Sequence, residues 1–485
     1  MKHLSDRAAI VLSFFACLSA AAVIHTIPNL KRFQDKTGAA ATFNKTGHID
    51  ENNPFFQGLG TNGRACVTCH QPDQAFSLSA KGAQEVYERT HGDDPLFASV
   101  DGANCPAFTS KDRAAHSLLL ERGLIRVALP MPAHAQFTIA VVHDPYGCAI
   151  TYDTGVPVIA VYRRPLPAAN LRYLSAVMFD GRETLHVLNN AQTLEDNLKF
   201  DLTDQAMGAV TGHEQGAAPS AEKLAEIVKF EMDLTTAQIE DNDAGLLYAH
   251  GATGGPMALT AQAYYPGIND VLAGDPTGQK FNPNAFSLYS AWGNAGGKRS
   301  DDDKEEARAE IAAGEKLFDT APLVITGVRG LNDNPALGNP ASIPGTCTTC
   351  HDAPNVGNHS VALALDIATS RQAADETNPN IIAALDELSA PDLPVYEIRG
   401  CTDPVSGKQV NFYTSDPGKA LISGLCTDVN RGKGPILRGL AARAPYFHNG
   451  AAADLNELVN FYDKRFQMNL TDMQKKELIA FLNSL

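Results

Sequence analysis

Two pentapeptides constrain this chain more than any other feature: Cys66-Val-Thr-Cys69-His70 and Cys347-Thr-Thr-Cys350-His351. A C-x-x-C-H run is the attachment site of c-type haem. Its two thiols add to the porphyrin vinyl groups, and the short tether holds the adjacent imidazole under the ring, where it ligates the iron. The competing use of two C-x-x-C pairs is one shared tetrahedral zinc. Histidine directly after both pairs, in a chain that opens like an exported protein, favours haem. Cys66, Cys69, Cys347 and Cys350 are thus read as attachment residues for two covalent haem c groups, with His70 and His351 as proximal iron ligands.

Lys2 and Arg7 precede an apolar run from Ala8 to Ile24 that holds small residues at Ser19 to Ala22. Residues 1–25 therefore read as a signal peptide or an N-terminal anchor, which places the folded part in the periplasm, free or tethered to the membrane. Of nine cysteines, Cys17 lies in this run and four serve the haem motifs. The even remainder, Cys105, Cys148, Cys401 and Cys426, suggests disulfides between sequence neighbours, with free buried thiols as the other reading. A net charge of −16 excludes nucleic acid as a partner, because no basic face is available to neutralise phosphates.

With 485 residues, 44% of them hydrophobic, the chain is long enough for two packed domains. The expected fold is mainly α: two cytochrome-c-like haem domains, a small β elaboration in the first, and long loops. Asp454-x-x-Glu457 and Thr471-x-x-Gln474 each open a helix, the second lined by Leu478, Ile479, Leu482 and Leu485. Another helix should run from about Asp301 to Phe318, and short strands over Gln136 to His143 and Val156 to Tyr162. Residues 26–245 form the first haem domain, 246–300 the Gly-, Asn- and Pro-rich connection, and 301–485 the second haem domain.

Three further segments complete a pattern: Met178-Phe-Asp-Gly-Arg182, Gln205-Ala-Met-Gly208 with Glu214, and Ala444-Pro-Tyr-Phe-His448-Asn-Gly450. In this order around the haem motifs, from about residue 50 to the end, the sequence resembles the bacterial di-haem cytochrome c peroxidase/MauG superfamily. The resemblance implies a peroxidatic first haem and a second haem that relays electrons or stores an oxidising equivalent as Fe(IV). It implies hydrogen peroxide as substrate, reduced to water by a small periplasmic donor, a cytochrome c or a cupredoxin. MauG instead oxidises side chains of a partner protein. The family is commonly homodimeric and typically holds an interdomain calcium.

Carried over residue by residue, Gln205 matches a family glutamine near the distal face of the first haem. The family's acid-base glutamate aligns with Gln215; Glu214 stands one position before it, beside His213. Cleaving peroxide needs a group that takes a proton from one oxygen and delivers it to the other, which favours Glu214. A solvated loop carboxylate is the alternative. Family members that need reductive activation carry a distal histidine at an offset occupied here by Val86, with His91 and His116 the nearest histidines. This departure implies a first haem that is open at rest, with His91 the remaining gating candidate.

At the second haem the peroxidases use a distal methionine at the position of Tyr462, where MauG has tyrosine. A phenolate is a hard anionic donor that lowers the potential, so a haem held by His351 and Tyr462 suits storage better than relay. Periodicity alone would make Tyr462 a core aromatic, and Met468 is the fallback ligand. Two departures oppose the resemblance. Phe179 replaces the tryptophan that precedes D-G-R, the only tryptophan being Trp292. The calcium-binding carbonyls match Arg443 and Pro445, but the side-chain asparagine is not evident near Arg164. The leading expectation is a periplasmic di-haem c peroxidase. A MauG-like oxidase of a partner protein and a non-enzymatic di-haem electron carrier are the alternatives.

Overall fold

The computed structural model describes residues 25–485 except 187, 189, 273, 294–302 and 404. The signal or anchor assigned to residues 1–25 lies outside the described residues up to position 24. Among the described residues no helix is long and apolar enough to cross a membrane.

In the first half, after two short strands at Thr26–Pro28 and Phe33–Gln34, β1 (Gly38–Asn44) precedes the first haem motif and α1 (Ala80–Thr90). Strands β2 (Ile125–Pro130), β3 (Thr138–His143), β4 (Ile150–Asp153) and β5 (Val156–Arg163) come next. Helices α2 (Leu194–Gly212) and α3 (Ala221–Asp233) then lead into β6 (Leu234–Asp241). The second half contains α4 (Asp303–Thr320), the second haem motif, β7 (Val395–Thr402), β8 (Gln409–Thr414), α5 (Leu455–Arg465) and α6 (Asp472–Asn483).

The mainly α expectation is overturned: helix makes up 32% of the structure and strand 18%, in several sheets. The strands arise where local propensity points elsewhere. β1, Gly-Ala-Ala-Ala-Thr-Phe-Asn, is poor in strand formers, yet it pairs antiparallel along its whole length with β6. β6 follows α3 without a break, and its buried Thr236 hydroxyl meets that of Thr42 at 2.8 Å. Tertiary pairing decides both. The sheet β8-β7-β3 joins a strand of the first half to two of the second, and β2-β5-β4 stands beside it.

The expected strands over 136–143 and 156–162 appear as β3 and β5, and the expected helices as α4, α5 and α6. Thr471 and Gln474 form a reciprocal capping box at the start of α6, and the Asp454 carboxylate caps α5 by accepting from the amides of Asn456 and Glu457. α4 and α6 pack closely because position 314 is glycine: a Cβ there would lie 1.9 Å from the Glu477 carbonyl oxygen. Phe481 fills the same interface against Phe286 and Phe318, and burying such a ring contributes about 1.5–3 kcal/mol. Trp292 sits in this core as well, donating from Nε1 to the Ala249 carbonyl at 3.0 Å, so the described part of the 246–300 connection is packed rather than free-running. Cys105 pairs with Cys148 and Cys401 with Cys426.

Candidate haem sites

Each C-x-x-C-H motif opens onto its own cavity. The first is lined by Cys66, Cys69 and His70, and the second by Cys347, Cys350 and His351. All four thiols are free. Because the two pairs line separate cavities, they do not converge on one zinc. Among the described residues no group of three or more His, Cys, Asp or Glu side chains is placed to hold a metal ion.

The two histidines are held alike, in a way that would suit iron ligation. His70 Nδ1 contacts the Phe76 carbonyl at 3.2 Å, and His351 Nδ1 contacts that of Gly357, so Nε2 is the nitrogen left for a metal. Burial lowers the His70 pKa to about 4 and moves His351 in the same direction, keeping both rings in the neutral, ligating form. Arg438 lines the first cavity, is 2% exposed, and leaves Nε and Nη2 without hydrogen bonds. Such orphaned donors suit the carboxylates of a haem. The donor set and the orphaned guanidinium fit haem c.

Around the first cavity, α2 presents Leu202, Gln205, Ala206 and Ala209 from one face, spaced as helical neighbours must be. His213 and Glu214 follow at its end. Glu214 is 3% exposed; its Oε2 accepts from the Leu59 amide at 2.8 Å and its Oε1 lies 3.9 Å from Cys66 Sγ. The solvated-loop alternative therefore fails on geometry, and burial raises this carboxyl above its ordinary range. His213 Nδ1 contacts Asp101, which also takes Arg64. Burial alone would raise Asp101, but the hydrogen bond from His213 and the charge of Arg64 hold it below the usual carboxylate value.

His91 is exposed, in left-handed conformation at the C-terminal cap of α1, and does not line the cavity. His116 is buried between the carbonyls of Gly102 and Ser110. Val86 belongs to the apolar cluster behind Cys69. Besides His70, the histidines that do line this cavity are His213 and His448.

The second cavity is wrapped by α4, α5 and α6. Leu458, Val459 and Tyr462 reach it from one face of α5, followed by Phe466 and Met468 beyond its end. Tyr462 and Met468 thus share a cavity with His351. Burial raises the Tyr462 phenol, whose ring lies among Phe447, Phe461 and Phe466.

The two cavities meet at a common wall. Arg164 to Pro167, Phe179, Lys433, Pro435, Ile436 and His448 line both. Phe179 stacks on His448 at 4.2 Å and 9°. Its ring also explains Gly432, where a Cβ would come within 2.2 Å of Phe179 Cζ. Asp180, next in the chain, is buried against Arg163 and Arg182, and Arg163 also holds Asp416.

Sequence reasoning missed three buried groups. Glu231 lines the first cavity with Oε2 unpartnered, and burial raises it to about 8. Its signal was present: it falls on the apolar face of α3 set by Leu224, Ile227 and Val228. His359 lines the second cavity, with neither ring nitrogen hydrogen-bonded and Asp352 Oδ2 3.4 Å away. Lys433, lowered by burial to about 7, donates to the Ala176 carbonyl in the common wall.

No protein-family model matches the chain. Among curated proteins it is 30% identical over 148 residues to Cytochrome-c peroxidase IdrP2 of Denitromonas iodatirespirans, spanning 29% of this chain and 36% of that one. It is 35% identical over 69 residues to Cytochrome-c peroxidase IdrP1 of the same organism, spanning 12% of this chain and 18% of that one. The matches thus span well under half of either relative. A solved MauG-like protein associated with microbial copper homeostasis aligns with 70% of this chain and 79% of its own at 12% identity, with a TM-score of 0.28, too low to carry an argument about fold. In sequence the chain is similar to cytochrome-c peroxidases, and its resemblance to the di-haem cytochrome c peroxidase/MauG superfamily, first carried by its motifs, is supported by that similarity.

Proposed function

We propose that this chain is a periplasmic di-haem c peroxidase. Hydrogen peroxide is reduced to water at the haem of Cys66, Cys69 and His70 with electrons from a small periplasmic redox protein, and the haem of Cys347, Cys350 and His351 relays electrons or stores an oxidising equivalent. The observation that carries this reading is the pair of cavities, each lined by one complete C-x-x-C-H motif, meeting at Phe179 and His448. The haem domains span 26–245 and 301–485, joined through 246–300. The two disulfides fit an oxidising compartment.

When bound, haem supplies iron at which peroxide and electrons meet. The chain supplies the proton handling: each peroxide takes two electrons and two protons and leaves as two waters. Glu214 takes a proton from one peroxide oxygen and returns it to the departing one, with Gln205 orienting the substrate from α2. Glu231, protonated below about pH 8, holds a second proton at the same cavity. Tyr462, which lines the second cavity with His351, would be the chain's further ligand to a haem held there, and its phenolate would favour the higher oxidation states of the iron. A net charge of −16 steers a basic donor towards the surface.

The test is steady-state turnover of the haem-loaded protein with a reduced donor cytochrome. The reading requires peroxide-dependent oxidation of two donor equivalents per peroxide. Absence of turnover from both the fully oxidised and the half-reduced protein would leave a di-haem electron carrier.

A further inference from the structure

Arg164 follows β5 directly and opens the Arg164–Pro167 strap between the two cavities. Its guanidinium gathers three backbone carbonyls. Nη1 donates to those of Arg443 and Pro445, and Nη2 to that of Leu78 at 2.5 Å. The Arg164 amide also donates to the His448 carbonyl at 2.7 Å. One residue thus binds the loop before α1 to the Pro445–His448 segment, and so holds in place the histidine that stacks on Phe179.

The carbonyls of Arg443 and Pro445 are the two that the family resemblance assigns to calcium. The residues around them do not fit that ion. Calcium takes six to eight oxygen ligands, carboxylates prominent among them. Here the two carbonyls already accept hydrogen bonds from a guanidinium. Arg443 adds a second positive charge close by; burial first, and then that charge, lower Arg164 to about 9. A divalent cation would compete for the same lone pairs against two fixed positive charges.

We infer that the Arg164 guanidinium is the resident cation of this site, fixed by the chain in the position a dissociable calcium would take, so that the junction between the haem cavities is calcium-independent. A guanidinium is suited to the place because it stays charged and presents several donors in a rigid fork. A covalently held cation makes the alignment of His448 and Phe179 a constant of the fold rather than a function of calcium supply.

The experiment uses the holoprotein with both haems attached. Calcium is measured by elemental analysis, and optical and EPR spectra and the melting temperature are recorded with millimolar EGTA and with millimolar calcium. The inference requires no stoichiometric calcium and no response of spectra or melting to either addition. One calcium per chain, or a spectral change on chelation that calcium reverses, would overturn it. Arg164→Met leaves three buried carbonyls without their donor and should lower the melting temperature and shift the haem EPR signals, with Arg164→Lys recovering part of both. An Arg164→Met holoprotein indistinguishable from wild type would also overturn the inference. If that variant does not fold, calcium content and chelator response of the wild type still decide, and both are read without turnover.

Discussion

The two cavities share a construction but not a chemistry. The first is lined by three carboxylates, Asp101, Glu214 and Glu231, together with Gln205 and His213; no carboxylate lines the second among its described residues. The second is instead closed by Leu323, Ile325, Leu365, Ile367, Phe466 and Met468. A site that cleaves peroxide must move protons, whereas one that holds an oxidising equivalent gains from apolar surroundings. In the proposed reading the same attachment motif serves two tasks, and the difference lies in what α2 and α3 present on one side and α5 on the other.

Removing each proximal ligand should give the largest effects and the sharpest test of this division. His70→Gly abolishes the reaction with peroxide, while His351→Gly abolishes donor-driven turnover, both followed by stopped-flow absorption. Equal loss of the initial peroxide reaction in the two variants would break the comparison. Next in size, Glu214→Gln should slow the peroxide step by about 10²–10⁴-fold, the range for a positioned acid-base group, and leave the second haem's spectrum unchanged. Tyr462→Phe should alter the spectrum and raise the potential of the second haem without slowing peroxide binding at the first. If Met468→Leu or His359→Gln has that effect instead, the distal ligand is one of those two residues.

The smallest effect concerns stability and pH. Burial raises Glu231 from 4.5 to about 8, so between these values the folded state retains a proton that the unfolded chain has lost. Stability then falls as pH rises from about 4.5 to about 8, and levels beyond. Glu231→Gln should remove that slope and melt higher than wild type at pH 8, as checked by thermal melts across the range.

The haem motifs, the helices of the second half and the cysteine pairing were legible because each is local or near-local: a five-residue motif, a capping box, two neighbouring cysteines. The sheets were legible only in part: β3 and β5 showed in the sequence, but their partners and pairing did not. β1 carries the small residues of a loop or helix, and β6 continues α3 in sequence, so tertiary pairing, chiefly with each other, makes them strands. β7 pairs with β3 across more than half the chain, a contact invisible to any window. Glu214 was legible as a residue type but not as a buried carboxylate tied to the Leu59 amide. Arg164 was noted only for the asparagine missing beside it, since sequence shows which ligand is absent and not which side chain has taken its carbonyls.

The central claim is a division of labour between an open, proton-handling first haem and a closed, storing second one. Its most direct test is one equivalent of hydrogen peroxide added to the fully ferric holoprotein, followed by rapid-freeze EPR and Mössbauer spectroscopy. With His91 exposed and outside the first cavity, the account predicts reaction without prior reduction and loss of both ferric signals together. Both ferric signals persisting until one haem is reduced would contradict it.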